Sequence, residues 1–396
     1  MDIKEDIKSL AHSYFDYVVQ LRRFLHQHPE LSKQETHTSD FICKELDKFQ
    51  GVSYKRNIAG YGICGFVSGK TDNGKCVALR ADMDALPICE TTSSPFKSQN
   101  DGVMHACGHD VHIATLLGAI RILSELRDRF EGRVMFIFQP SEEEYPGGAI
   151  EMIKAGIFAT TKPSAIFSFH TTPEMDCGKI GLKAGNYMAS TDEFYIIIKG
   201  RGGHGAMPNL NIDPIIVASH IVIALQTIVS RNADPSLPTT ITIGNFITEG
   251  GRTNVTPSVV KLEGIIRTFD DDWRQEAHKL IKRISEDTAA AFGAEADVFI
   301  DNGYPALFND EQLTATTKAL AVEFLGTDNV LDLNVRMTAE DFAYFAKEIP
   351  ACYFRLGTRK GNEPITNLHS SDFDVDERSM EYGMGLEAFL AIDALQ

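Results

Sequence analysis

The 396-residue chain has little of what would take it out of the ordinary globular class. Tryptophan occurs once. No stretch of about 18 consecutive apolar residues is present, so no transmembrane helix is expected. The opening residues, Met1-Asp2-Ile3-Lys4-Glu5-Asp6, are charged and lack the apolar core of a secretion signal. Cysteine is sparse and odd in number, with seven residues at 43, 64, 76, 89, 107, 177 and 352. That scatter excludes the framework of a small disulfide-stapled secreted domain. It points to a reducing cytoplasm, where most thiols serve as small core hydrophobes. Positive charge is in deficit, with 38 Lys and Arg against 55 Asp and Glu and a net charge of −17. This argues against nucleic-acid binding and docking on anionic membranes, and it identifies no partner. Internal repeats and low-complexity stretches are absent.

What is present is enough apolar residue for a large core, 43% of the chain. The length exceeds one ordinary core, so two domains are expected. Leu10, Tyr14, Val18, Leu21 and Leu25 recur at helical spacing and predict a helix over 3–28, ended by Pro29. A helix over 35–49 follows, then β-rich runs at 52–57, 62–67 and 76–81. Helices near 110–126 and 148–155 alternate with strands at 133–138 and 165–169. Such alternation predicts an α/β layered domain. After residue 186 the order changes: strand 192–199, helix 212–230, strands 239–247 and 259–268, helix 273–291, strand 296–301. That is a βαββαβ unit of the ferredoxin-like kind. Helices at 310–325, 340–347 and 378–394 and a strand at 352–357 then complete the first domain. Residues 1–186 and 303–396 are therefore expected to form one discontinuous α/β domain, and 187–302 an insertion.

Three stretches carry chemistry. His105-Ala106-Cys107-Gly108-His109-Asp110 packs a thiol, two imidazoles and a carboxylate into six residues. Cys107 and His109 are two apart, a spacing that separates them on a helix, so they must sit in a turn, which Gly108 permits. A transition-metal site accounts for this donor density. A structural cysteine beside a capping histidine, or a nucleophilic Cys107 paired with His109, are the alternatives. Gln139-Pro140-Ser141-Glu142-Glu143-Glu144 follows a strand, at the carboxyl edge where α/β sheets place sites. Adjacent carboxylates repel unless a cation is near, although a solvated acidic loop would look the same. His170 ends the apolar run 165–169 and is read as closing a buried strand. It and His369 suit a ligand role or that of a hydrogen-bonded histidine at the core edge. His105 and His112 are read as flanking the site without ligating.

These residues resemble the M20 metallopeptidases, in particular the amidohydrolase branch that holds N-acyl-amino-acid amidohydrolases, hippurate hydrolases and indole-acetyl-amino-acid hydrolases. The resemblance runs through Leu21–His26, Leu79–Pro87, Met104–Asp110, Gln139–Glu143, Gly202-Gly203-His204, Asn254–Pro257, Ala339–Phe342 and Leu368–Ser370. It implies a zinc-exopeptidase-like α/β catalytic domain with an inserted ferredoxin-like lid. It implies two divalent metal ions per subunit, Zn²⁺ or Mn²⁺ with Co²⁺ or Ni²⁺ also admissible. Cys107 would bridge them, and His109, Glu143, His170 and His369 would complete the shells. Glu142 is implied as general base, and Asp84 as an acid that orients a ligand histidine. His204 would steady the oxyanion in a neighbouring subunit's site, while Asn254 and Arg267 would grip the substrate carboxylate. The implied reaction is hydrolysis of the amide bond of N-acyl amino acids, in a homodimer joined through the lid. A metallo-exopeptidase acting on dipeptides or carboxyl-terminal residues is the alternative within the family. A catalytically silent metal- or peptide-binding protein is the alternative outside it. Glu144 stands where the family usually has Gly, Tyr145-Pro146 lengthens that loop, Asn209 replaces a common His and Ser371 a frequent Pro. The three glutamates therefore compete for two roles.

Overall fold

Helix α1 (Ile3–Gln27) forms where the apolar spacing places it, burying Ile7, Ala11, Val18, Leu21 and Leu25. Asp2 caps it by accepting from the Lys4 amide, 3.1 Å. The computed structural model describes residues 2–361 and 363–396. Along the chain follow α2 (Thr36–Leu46), β1 (Val52–Ile58), β2 (Gly62–Ser68), β3 (Cys76–Asp82), α3 (His109–Glu125), β4 (Arg133–Gln139), α4 (Gly148–Lys154), β5 (Ile166–Asp176) and β6 (Ile180–Leu182). Strand β7 (Gly185–Met188) leads into the insertion.

The insertion holds β8 (Asp192–Lys199), the short β9 (Gly203–His204), α5 (Pro214–Thr227), β10 (Thr240–Glu249), β11 (Val255–Thr256), β12 (Val259–Arg267), α6 (Asp271–Ala291) and β13 (Glu295–Asn302). Strand β14 (Leu307–Asn309) leads back to α7 (Glu311–Leu325), β15 (Val330–Asp332), α8 (Ala343–Glu348), β16 (Ala351–Arg359) and α9 (Ser379–Asp393).

Two compact units result. One runs up to Gly185 and includes Phe308–Asn334 and Asp341–Gln396; the other is Asn186–Leu307 with Val335–Glu340. The second unit therefore reaches five residues past 302 and recruits a segment from far along the chain. Hydrogen bonds explain both additions. The Gly303 amide donates to Asp192, 3.0 Å, and the Arg336 amide to the Tyr187 carbonyl, 2.8 Å.

The first unit is built on an eight-stranded sheet of order β1-β2-β4-β3-β5-β16-β6-β15. Its centre, β4-β3-β5-β16, is parallel. Central parallel strands need cover on both faces and read as continuous apolar runs, as Val134–Phe138 does. Helix α3 is buried all round and packs with α1 and α9. A helix without a polar face belongs in the middle of a layer. One apolar core joins these helices to the sheet.

The inserted unit is a four-stranded antiparallel sheet of order β10-β12-β8-β13. Helices α5 and α6 close its core with Phe194, Ile196, Ile198, Val217, Ile221, Leu225, Leu262 and Ile281. This is the split βαβ arrangement. The span Pro214–Asn232, helix α5 with the π-helical turn that continues it, has a mean hydropathy of 1.5 and is long enough to cross a membrane. Ser219, His220 and Gln226 break the run, and the surrounding Ile, Val, Ala and Leu keep its mean high. Its Val217, Ala218, Ile221, Leu225 and Ile228 are committed to the sheet core, as in a core helix.

Candidate active site

The sheet order sets the site. Strands β4, β3 and β5 lie side by side and run the same way, so their carboxyl ends open on one edge. Past β3 comes Asp84, past β4 come Glu142 and Glu143, and on β5 stands His170. His170 does not end its strand, as its apolar run suggested. The β-branched Thr171 and Thr172 carry β5 on, paired with β16 as far as Thr172↔Gly357. On its other side β5 pairs with β3 only through Ser168, so His170 lies beyond the paired end of β3.

Cys107 and His109 arrive by a turn. Gly108 has φ +86° and precedes α3, which starts at His109. A side chain at 108 would sit 2.6 Å from Thr171 Oγ1, so both conformation and space require glycine. Thr171 Oγ1 donates to the Cys107 carbonyl, 3.1 Å, which fastens the turn to β5. His369, in the loop before α9, is tied in by its amide, which donates to the Ala106 carbonyl, 2.8 Å. Its backbone is left-handed, φ +62°, a conformation that costs a non-glycine residue on the order of 1 kcal/mol or more.

The donor atoms converge. Cys107 Sγ lies 3.2 Å from His170 Nε2, and His369 Nε2 lies 3.4 Å from Glu143 Oε1. Three overlapping groups each gather their ligand atoms within 4.8 Å: Cys107, His109 and His170; Cys107, Glu143 and His369; His109, Glu142 and Glu143. Each histidine is oriented from behind. His109 Nδ1–H donates to the Asp84 carbonyl, 2.9 Å, and His170 Nδ1–H to the Thr171 carbonyl, 2.8 Å. Both Nε2 atoms then face inward, the nitrogens a metal would take. His109 Nε2 and Glu143 Oε1 are buried without a hydrogen-bond partner. Unpaired buried polar atoms are costly, and a cation between them removes the cost. The residues thus fit a metal centre.

The electrostatics agree. Burial, then the Glu143, Glu142 and Asp82 carboxylates, push the Cys107 thiol well above its ordinary value. A nucleophilic cysteine needs the opposite shift. Burial disfavours a charged His109, yet Asp82, Asp84 and Glu143 outweigh it and raise that imidazole to about 10. The cluster holds more negative charge than its own cations balance.

Geometry sorts the acidic and histidine candidates. The Glu143 amide donates to Asp84 Oδ2, 2.9 Å, and Glu142 is buried beside it. Glu144 points outward, exposed, onto Lys33 Nζ at 2.6 Å. His112 donates from Nδ1 to Asp82, 2.6 Å, and accepts at Nε2 from the Thr171 amide, 3.1 Å. Both its nitrogens are used, so it clamps β3 to β5 and offers a metal nothing. His105, fully buried, is lowered to about 4 by burial and stays neutral.

Asp82, Arg80 and Gln139 lie in the motif stretches but carry no role from the sequence: Arg80 donates to Asp82 and Asp341, and Gln139 to Asp341, all buried. A signal existed, since Arg80 and Asp82 alternate on an otherwise apolar strand and Asp84 continues the spacing just past its end.

The remaining predicted residues belong to the inserted unit. His204 on β9 pairs with Val255 on β11, and Asn254 immediately precedes that ladder. Both are exposed. His204 Nδ1 accepts from the Ala206 amide, 3.0 Å, so in the neutral ring Nε2 carries the proton and is a donor. Arg267 ends β12, half-buried, with Nη1 donating to the Met337 carbonyl, 3.0 Å.

Known proteins place this architecture. N-acetyl-L-cysteine deacetylase of Bacillus subtilis is 39% identical over 92% of this chain and 84% of its own length. Thermostable carboxypeptidase 1 of Saccharolobus solfataricus is 37% identical over 99% of each chain. The crystal structure of a dinuclear metal-binding M20 peptidase from Bacillus subtilis superposes with a TM-score of 0.82, at 33% identity over 97% of this chain and 99% of that one. The model of peptidase family M20/M25/M40 matches residues 78–392, and with it the whole donor set from Cys107 to His369 falls inside the matched region: the chain belongs to the M20 peptidase family.

Proposed function

We propose that the protein is a metal-dependent amidohydrolase that cleaves N-acyl amino acids into a carboxylic acid and a free amino acid. The observation that carries this is the buried Glu142, gathered with His109 and Glu143 in one group yet adjacent in sequence to the donor itself. A carboxylate there can move protons without being consumed as a ligand. Cys107 shares one group with His109 and His170 and another with Glu143 and His369, so it stands where both donor sets could use its thiolate. Two divalent ions held by Cys107, His109, Glu143, His170 and His369 would supply Lewis acidity to a water molecule and to the scissile carbonyl. Zn²⁺ suits the thiolate and imidazoles, Mn²⁺ the carboxylate, and Co²⁺ and Ni²⁺ the mixed set.

Glu142 takes the proton of the attacking water and returns it to the leaving amine. Asp84 fixes His109 from behind and holds the Glu143 amide, so both donors keep their aim. His204, with Nε2 as donor, would steady the oxyanion in a neighbouring subunit's site. Asn254 and the Arg267 guanidinium bind the substrate's α-carboxylate, a planar anion that suits arginine. The deacetylase relative, named for an N-acetyl amino acid, supports the substrate class. The carboxypeptidase relative supports a second reading, removal of carboxyl-terminal residues from short peptides. Both readings need the same carboxylate grip.

The inserted unit also supplies the surface for a homodimer. Strand β10 is the edge of its sheet, with Phe246 and Ile247 exposed, and α5 presents Ile216 and Ile223 to solvent. An uncovered apolar edge of this kind is usually covered by a partner. The seven unpaired cysteines fit a cytoplasmic setting.

The test is a turnover panel of N-acetyl and N-benzoyl amino acids beside dipeptides, run on chelated protein with and without added Mn²⁺ or Zn²⁺. Metal-restored release of free amino acid from the N-acyl substrates is expected. Preference for dipeptides would move the assignment to the exopeptidase reading, and turnover of neither would leave a binding protein.

A further inference from the structure

The loop that presents Glu142 and Glu143 begins with a residue in an unfavourable conformation. Ser141 is buried and left-handed, φ +55°, which a residue with a Cβ adopts only when its surroundings impose it. Here Glu35, Lys33 and Gly148 impose it. The Ser141 amide donates to Glu35 Oε1 at 2.7 Å and its hydroxyl reaches the same oxygen at 3.2 Å. The Lys33 amide donates to Ser141 Oγ, 2.9 Å. The far end is closed by the Gly148 amide on the Ser141 carbonyl, 3.0 Å.

Glu35 has another job open to it and does not take it. It occupies the N-cap position of α2, yet its side chain makes no capping bond. Glu30 bonds the first amides instead, at 3.1 Å to His37 and 2.8 Å to Thr38. Glu35 is fully buried, with Oε2 unpartnered. A buried carboxyl diverted from a helix end to one loop amide is expensive unless that amide matters. The same segment makes two further contacts to the loop and its support. Ser32 Oγ donates to Asp84 Oδ2, 2.6 Å, the oxygen that also accepts from the Glu143 amide. Lys33 Nζ draws Glu144 outward.

We propose that Glu35 is a positioning residue that holds Ser141 left-handed and thereby aims Glu142 and Glu143 into the site. This rests on the reading of Glu142 as base and Glu143 as metal donor. Burial, then the nearby Asp84, push the Glu35 carboxyl up to about 7. A neutral amide is therefore a fair substitute and keeps the accepting oxygen.

The experiment compares Glu35→Ala, Glu35→Gln and Glu142→Gln in the full-length protein, with kcat, KM, metal content and amide deuterium uptake over residues 139–144 of the metal-free chain. Glu35→Ala is expected to lower kcat about 10²-fold with KM little changed, the scale set by a misplacement of about 1 Å. Its Ser141 amide should exchange faster before any metal is added. Glu35→Gln should restore most of kcat and the slow exchange. If Glu35→Ala melts earlier but keeps kcat and slow exchange, or if Glu35→Gln fails as badly as Ala, the proposal is wrong. Should Glu35→Ala not fold, Ser141→Val tests the same conformation, since a β-branched residue resists positive φ. Unchanged kcat in Ser141→Val would overturn the proposal. Normal turnover in Glu142→Gln would instead sink the mechanism on which it rests.

Discussion

The two units bury charge for different ends. In the first unit, Asp82, Asp84, His109, Glu142 and His170 lie under the surface at the mouth of a parallel sheet, and Asp84 Oδ1 and His109 Nε2 are left without a hydrogen-bond partner. In the inserted unit, Asp192 is buried with Arg274, His278 and the Gly303 amide all donating to it. One cluster is complete and holds a fold together. The other leaves atoms that a cation would complete. The residues proposed to meet substrate follow the opposite pattern, with His204 and Asn254 exposed on a short ladder. The proposed metal donors are mostly buried and held by fixed neighbours, and His204 and Asn254 face solvent.

Mutations can break this contrast. The largest effect is expected from Glu142→Gln, a kcat loss of at least about 10²-fold with metal content unchanged, read by steady-state kinetics and elemental analysis. Loss of metal together with activity would make Glu142 a donor and erase its separate role. His204→Ala should cost about 10²-fold in kcat, also with metal content intact, because it removes an oxyanion donor and no ligand. Asp84→Asn should act from behind the site, weakening metal affinity about 10-fold to 100-fold in a chelator competition. The smallest effect, confined to stability, is expected in the inserted unit. Asp192→Asn should destabilise it by about 1–3 kcal/mol, measured by denaturant unfolding, with kcat preserved.

That last variant also carries a pH signature. Burial raises the Asp192 carboxyl, but the bonds from Arg274 and His278 outweigh it and hold it below its usual value of 3.8. Its contribution is then fully present above that value and is lost as pH falls through the depressed one. Asp192→Asn should therefore lose more stability at neutral pH than in acid.

Much of this was legible in the chain itself. Helical spacing located α1 within a residue at each end, and the switch to βαββαβ order after 186 announced the insertion. Cys107, His109, Glu142, Glu143, His170 and His369, scattered over more than half the chain, come together in overlapping groups. Two kinds of feature escaped. Three-residue strands such as β6 and β15 are too short to carry a period and exist because a neighbour pairs with them. Glu35 and Ser32 act through partners that are remote in sequence, and no local spacing marks them, while Asp82 is marked only by its alternation with Arg80 in an apolar strand. The extension of β5 past His170 was missed for the related reason that β16, not the local sequence, keeps it straight.

The place of β16 has a consequence for how the molecule is made. It is the last strand in sequence, yet it lies between β5 and β6. A nascent chain that has already produced the whole insertion still has a gap in its main sheet. The gap closes only when residues 351–359 emerge, and His369 follows just behind them. Amino-terminal segments usually fold first during synthesis. Here the order of synthesis brings Cys107, His109, Glu143 and His170 out before β16 and His369 after it, so the overlapping donor groups come together only once β16 has emerged.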